Sequence, residues 1–233
     1  MLGRVAVVIP AWNEGDAIGP VVAEVLGQGV GQVIVSDGGS TDGTVGAARA
    51  AGATVLDAGR GYGRACAAGA AAAAPGCDLV AFMDGDGADR PDQLPALVQP
   101  IADGTHDFTI ASRTRGQREP GSMNWHQVLA GAVAGRLIGA LYGVRYTDMC
   151  AFRVIRRDAL ARLDMREMTY GWNIEMQMKA ARARLRILEL PVPYRRRAAG
   201  ESKVAGSLRG TMRASTRIAA TFARVAMAGR AQP

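Results

Sequence analysis

Five short apolar runs punctuate the first half of the chain: RVAVVIP, QVIVSD, ATVLDA, LVAFMD and DFTIASR. Each is rich in β-branched residues and too short for a typical helix, so each predicts a strand. Between them, residues 17–26 and 44–51 space their apolar positions as helices do. Strands that are continuously apolar are buried on both faces, and strands alternating with helices pair in parallel. The pattern predicts an α/β domain with a mostly parallel central sheet and helices on both faces.

After about residue 113 the alternation loosens. The alanine- and glycine-rich stretch Trp125–Tyr142 and residues 171–183 predict helices. RILELPVPYRRR predicts a late strand whose prolines suit a sheet edge. Residues 202–229 show a glycine-punctuated helical pattern with Arg209, Arg213 and Arg217 at four-residue spacing. No linker or repeat divides the chain. The expected organisation is one α/β domain over residues 1–200, followed by a basic amphipathic segment, 201–233, packed on that domain or laid against a membrane surface.

Polar residues collect where the strands end. The first strand runs into Asn13 and Glu14, the second into residues 37–42, and the fourth into residues 84–89. In open α/β sheets ligands bind beyond the carboxyl ends of the strands, so these clusters can build one site. The composition narrows its ligands. With 233 residues, 48% hydrophobic and 21% charged, the chain has an ordinary globular balance, while a formal charge of +7 favours phosphate-bearing partners. Aromatic residues are scattered singly instead of interleaving with basic patches, which argues against nucleic acid. Cys66, Cys77 and Cys150 form no C-x-x-C pair, so neither a disulfide framework nor a zinc site is indicated and a reducing cytoplasm fits. The opening MLGRVAVVIPAW resembles a first strand more than a signal peptide, and no uninterrupted apolar run reaches the length of a membrane span.

The densest chemistry lies in FMDGDGADRPDQL, with four aspartates within residues 84–92. Like charges so close repel unless a cation sits among them or water surrounds them. Asp84 and Asp86 are two apart at a strand end, which points both carboxylates to one side, and oxygen ligands of this kind suit Mg²⁺ or Mn²⁺. A hydrated acidic turn is the simpler alternative. In DGGSTDGT, Asp42 or Thr41 can cap the next helix, whereas Asp37, at the strand's last position, is free to recognise a base or ribose. GRGYGRA lacks the third glycine of a dinucleotide fingerprint, yet its glycines let Arg60 approach a nucleotide. No P-loop occurs. His106 and His126 are the only histidines and suggest no hydrolytic triad. The basic run at residues 194–197, with Lys203 beyond it, reads either as a solvated charged stretch or as an anion-gripping lid.

In order and spacing, VVIPAWNE, SDGGSTDGT, GYGRA, MDGDGAD, ASRTRG, TDMCAFRVIRR, TYGWNIEMQMKAAR and GESKVAGSLRG resemble a family 2 glycosyltransferase of the GT-A type. The second half is especially similar to the dolichyl-phosphate mannosyltransferase-like branch. The resemblance implies that Pro10, Ala11 and Glu14 contact a nucleotide, that Asp37 recognises its base, and that Asp84 lies near the ribose and diphosphate while Asp86 holds the divalent metal. It also places Arg113, Asp148, Arg153 and Glu175 around the donor sugar or acceptor, and Arg195, Arg197 and Lys203 at phosphates. Val128 and Cys150 depart from the pattern, on the acceptor side.

The expected activity is therefore inverting, metal-dependent transfer of a sugar from a nucleotide-diphosphate donor to a polyprenyl phosphate, with Glu175 available as a base if the acceptor is instead a hydroxyl. As an alternative to the base role, Glu175 can pair with Lys179 one helical turn away. The competing functions are transfer to a soluble metabolite or glycan, sugar nucleotidyl transfer, which the acidic PAWNEGD disfavours, and non-catalytic nucleotide or lipid binding. Peripheral contact with the inner face of a membrane is expected through the basic C-terminal segment, with Ile218, Phe222 and Val225 meeting the lipid.

Overall fold

A computed structural model describes residues 1–198 and 208–228. In chain order the described elements are β1 Val5–Ala11, α1 Gly15–Leu26, β2 Gln32–Asp37, α2 Thr44–Ala50, β3 Thr54–Asp57, α3 Tyr62–Ala71, β4 Leu79–Phe82, α4 Leu94–Ala102, β5 Phe108–Ser112, α5 Trp125–Tyr142, β6 Arg153–Arg156, α6 Arg157–Arg162, α7 Trp172–Arg182, β7 Ile187–Pro191 and α8 Leu208–Ala228.

The strands form one seven-stranded sheet in the order β3-β2-β1-β4-β6-β5-β7. β1 pairs in parallel with β2 and β4, and β2 with β3. β6 alone runs against its neighbours β4 and β5, and β7 closes the edge parallel to β5. The mostly parallel sheet and the edge position of the proline-bearing last strand agree with the sequence reading. Residues 5–9 of β1 are completely buried, as a strand covered on both faces requires.

The helices make two contacting groups. α1, α2 and α4 gather through the α1–α2 contact and the turn leading into α4, while α3, α5, α7 and α8 are linked through α7. On the second group's side Phe82 of β4 meets Trp172 of α7 edge to face, with ring centroids 6.1 Å apart.

Small residues in the helices permit this packing. A Cβ at Gly135 of α5 would sit 1.8 Å from the Tyr146 carbonyl oxygen, so only glycine lets the helix rest on the stretch of chain that leads to the site. Gly135→Ala is expected to destabilise the fold by about 2 kcal/mol or more, because neither backbone can yield cheaply. A shifted denaturation midpoint with an unchanged slope would show it.

α8 is amphipathic, as the sequence suggested, but its apolar side turns inward. Ala214 and Val225 are buried, and Ile218 and Phe222 pack on the core. The expectation that Ile218, Phe222 and Val225 meet lipid is therefore corrected. Burying them against the domain removes the same apolar surface from water that a bilayer would.

Candidate active site

Above the carboxyl ends of β1, β2 and β4 lies a cavity of about 760 Å³. The sheet register explains why the separate polar clusters meet there, since Ala11 is opposite Asp37 and Val8 opposite Phe82. Of the residues singled out from the sequence, Pro10, Ala11, Glu14, Arg60, Asp84, Asp86, Arg113, Asp148 and Arg197 all line it.

The acid loop after β4 forms one wall. Asp86 accepts a hydrogen bond from the Ala88 amide at 2.9 Å, and Asp89 accepts one from the Asp84 amide at 3.0 Å. Tyr62 donates to Asp84 at 3.3 Å. Loss of water and the neighbouring charge of Asp86 push the Asp84 carboxyl up to about 6. Burial, then the charges of Asp84 and Asp86, push Asp89 up to about 8. Carboxylates crowded so closely that Asp84 and Asp89 are both raised form a site where positive charge is strongly favoured.

Arg197 supplies such a charge. Its guanidinium lies 2.8 Å from Asp86 and 3.0 Å from Glu14. It is held there by the backbone: the Arg195 amide donates to the Ala88 carbonyl and the Ala198 amide to the Asp86 carbonyl, at 3.0 and 2.9 Å. Among the described residues no three or more ligating side chains converge on a metal position. Two carboxylates are nonetheless the donor set expected for Mg²⁺ or Mn²⁺, which take the rest of their shell from water and substrate phosphates. The residues fit the ion.

A second wall centres on Asp148. Its carboxylate receives Arg113 side-on, Nε at 2.7 Å and a terminal nitrogen at 2.8 Å, together with the amides of Arg113 and Met149. Burial alone would raise Asp148, but the guanidinium and these hydrogen bonds hold it below the ordinary carboxylate value. Glu189 of β7 fixes the same loop by accepting from the Thr147 amide at 2.8 Å and the Asp148 amide at 3.2 Å. Arg113 also lies over the Tyr194 ring.

Four predicted residues do not line this cavity. Asp37 spends its carboxylate on its own loop, accepting from the amides of Gly39 and Ser40 and from the Ser40 hydroxyl, so it shapes the loop whose Gly38 faces the cavity. Arg153 is completely buried and bonded to the carbonyls of Cys150, Ala151 and Asn173; β6 aims it into the core instead of the cavity. Glu175 is likewise fully buried, 3.1 Å from Lys179, and accepts from the amides of Arg166 and Glu167. The pairing with Lys179 is thus its observed environment, and a base role would require it to leave these partners. Arg195 ties its segment to Glu24 and the Asp89 carbonyl instead of entering the cavity. Lys203, also expected at phosphates, lies outside the described residues.

Further lining residues had no site role in the sequence reading, and one that did, Arg60, gains a partner. Arg60 stacks on Trp12 with its guanidinium carbon 3.5 Å from the ring centroid, at the glycine loop. His126 comes from α5, Asn173 from α7, and Arg213 and Arg217 from α8. Nothing local marks His126 or Asn173 as site residues, and the spacing of Arg213 and Arg217 suggested headgroup contact instead of this cavity, because α7 and α8 reach the site only through tertiary packing.

This fold and site belong to a sugar-transferring class of enzymes, and the comparisons agree. The chain belongs to glycosyl transferase family 2, whose profile matches residues 6–164, and it is a glycosyltransferase. It is 32% identical over 211 residues to an uncharacterised glycosyltransferase of Mycobacterium tuberculosis, spanning 89% of this chain and 93% of that one. It is 35% identical over 205 residues to the dolichyl-phosphate hexose transferase of Haloferax volcanii, covering 85% and 86%. In fold it is similar to glucosyl-3-phosphoglycerate synthase from Mycobacterium tuberculosis, crystallised with Mn²⁺, uridine-diphosphate-glucose and phosphoglyceric acid. That likeness has a TM-score of 0.76 and 24% identity, over 95% of this chain and 79% of that one.

Proposed function

We propose that this glycosyltransferase moves a sugar from a nucleotide diphosphate to a polyprenyl phosphate, inverting the anomeric carbon. The observation that carries the reading is that the cavity's carboxylates are engaged. Glu14 and Asp86 hold Arg197, Asp148 holds Arg113, and Asp84 accepts from Tyr62 in the acid loop. A hydroxyl acceptor needs a base to take its proton. A phosphate monoester, with a second pKa near 6, is already largely anionic at pH 7 and attacks without one. Similarity to the dolichyl-phosphate hexose transferase supports the same acceptor class.

Pro10, Ala11 and the Arg60–Trp12 stack would border the nucleotide, and Asp84 and Asp86 would hold Mg²⁺ or Mn²⁺. When bound, the ion supplies neutralising charge for the departing diphosphate. Arg197, preset by its backbone bonds, adds a second cation at the same corner. Arg213 and Arg217 line the α8 side of the cavity and would receive the acceptor phosphate.

A donor panel with Mn²⁺ or Mg²⁺, read as nucleotide release, tests this. Release is expected to rise when polyprenyl phosphate is added and to vanish with chelator; stimulation only by a soluble sugar or metabolite would refute the acceptor. One observation favours that second reading. His126 lines the cavity, and its Nε2 is buried without a hydrogen-bond partner among the described residues. As base for a hydroxyl, its replacement by asparagine would cost about 10²–10⁴ in rate. With a phosphate acceptor, His126→Asn is expected to stay within about threefold of the parent, since no proton has to be removed.

A further inference from the structure

α5 carries a surface that the rest of the fold leaves uncovered. Gly131, Ala134, Gly135 and Ile138 turn it toward the domain. Trp125, Leu129, Val133, Leu137 and Leu141 are all exposed, Trp125 by 76% and Leu129 by 52%. These five recur every fourth residue, so they form one ridge about 24 Å long that starts on the outer side of the helix and winds toward its flank at Leu141. Single exposed apolar side chains are ordinary, whereas a continuous row of large ones marks a contact surface.

The surroundings indicate what it contacts. Residues 120–147 contain no aspartate or glutamate. Cations flank the stripe: Arg118 lies 3.8 Å from the sulfur of Met123 just before the helix, Arg136 is exposed on it, and the exposed Arg145 follows it. Two copies meeting through this face would bring Arg136 and Arg145 together with only Glu119, at the margin beside Arg118, to offset them, which disfavours a symmetric dimer. An anionic lipid surface is complementary to both the apolar row and its charged rim. Among the described residues no helix is long and apolar enough to cross a membrane, so α5 would lie in the plane of the interface. The same helix supplies His126, Gln127 and Ala130 to the cavity wall, so the stripe borders the reaction site.

We propose that the outer face of α5 docks this enzyme on an anionic bilayer. Trp125 and the leucines enter the acyl boundary, Arg118, Arg136 and Arg145 rest among headgroups, and the cavity rim opens toward the lipid. The inference rests on the polyprenyl-phosphate reading, because docking would bring the cavity to an acceptor that stays in the membrane.

Flotation of the full chain with phosphatidylglycerol–phosphatidylcholine vesicles, against pure phosphatidylcholine, tests it. The protein is expected to float with the anionic vesicles, with blue-shifted tryptophan emission that brominated lipid quenches and that Trp125→Phe largely removes. Leu129→Glu/Leu137→Glu is expected to weaken partitioning about tenfold or more. The double variant should keep parental transfer to a water-soluble short-chain acceptor phosphate while losing transfer to a long-chain acceptor in vesicles. Equal flotation of parent and variant, or a parental dimer that the variant splits without any vesicle binding, would overturn the proposal. Should the variant misfold, absence of quenching at Trp125 in the parent would overturn it equally. Transfer in detergent without flotation sinks docking alone; flotation without transfer to any polyprenyl phosphate supports docking and sinks the acceptor assignment.

Discussion

Asp86→Asn is expected to lower turnover at least about a thousandfold while the protein remains folded, because the charge that anchors the metal disappears and the diphosphate must depart against unneutralised repulsion. The fold should tolerate the change: the substituted amide keeps an acceptor oxygen for the Ala88 N–H, and Arg197 keeps Glu14. Steady-state transfer beside a melting curve separates the two effects. Retained activity with every donor would contradict the metal assignment. The melting curve carries a second signature. In the fold Asp84 titrates near 6 and Asp89 near 8, above the ordinary value of 3.8. Because the folded state holds these protons more tightly, the two acids favour folding at low pH, and that contribution is lost as pH rises through about 6 and then about 8. A divalent ion replaces the lost protons, so Mn²⁺ should raise the melting temperature at pH 8, barely at pH 5, and not at all in Asp86→Asn.

Glu175→Ala is expected to cost about 3–5 kcal/mol of stability, the usual consequence of removing one member of a buried ion pair. Lys179, itself buried, would lose its carboxylate partner, and the amides of Arg166 and Glu167 would lose their acceptor. Arg224 of α8 also reaches Glu175, at 3.3 Å, so the substitution loosens the helix that brings Arg213 and Arg217 to the cavity. Urea denaturation of Glu175→Ala and Glu175→Gln distinguishes this from a base role. Glutamine keeps an acceptor for the amides and should recover part of the stability together with most of the activity at low temperature. A glutamine variant of parental stability but hundredfold lower rate would restore Glu175 as base.

These two residues show how far the sequence could be read. The acids after β4 are local: an apolar run ends, two aspartates follow at alternate positions, and the sheet register does the rest. β1, β2 and β5 announce themselves by short apolar runs that carry β-branched residues, and α5 was legible to the residue from its composition and flanks. Other features depend on long-range packing. β6 is only Arg153–Arg156, four residues with arginine at both ends, and no local pattern says that it inserts antiparallel between β4 and β5. α4 hides behind Pro95, near its start, and Pro100, inside it. For Arg153 and Glu175 the family pattern identified positions, but the direction each side chain takes is set by β6 and α7 packing inward. Charge alone made Ile218, Phe222 and Val225 look like lipid contacts, because an amphipathic helix carries the same pattern whichever apolar partner covers it.

The reversed direction of β6 has a consequence for how such enzymes diversify. Running against β4, it delivers the 148–152 stretch to the same rim where the parallel strands end, so the second half of the chain reaches the rim without threading the first. Under the proposed function, nucleotide recognition resides mainly before β5 and acceptor recognition after it. Recombination between relatives near residue 113 would therefore exchange acceptors while retaining donors, provided the seams of β6 with β4 and β5 and of β7 with β5 still matched, and a hybrid gene assembled at that junction would be a direct way to see it.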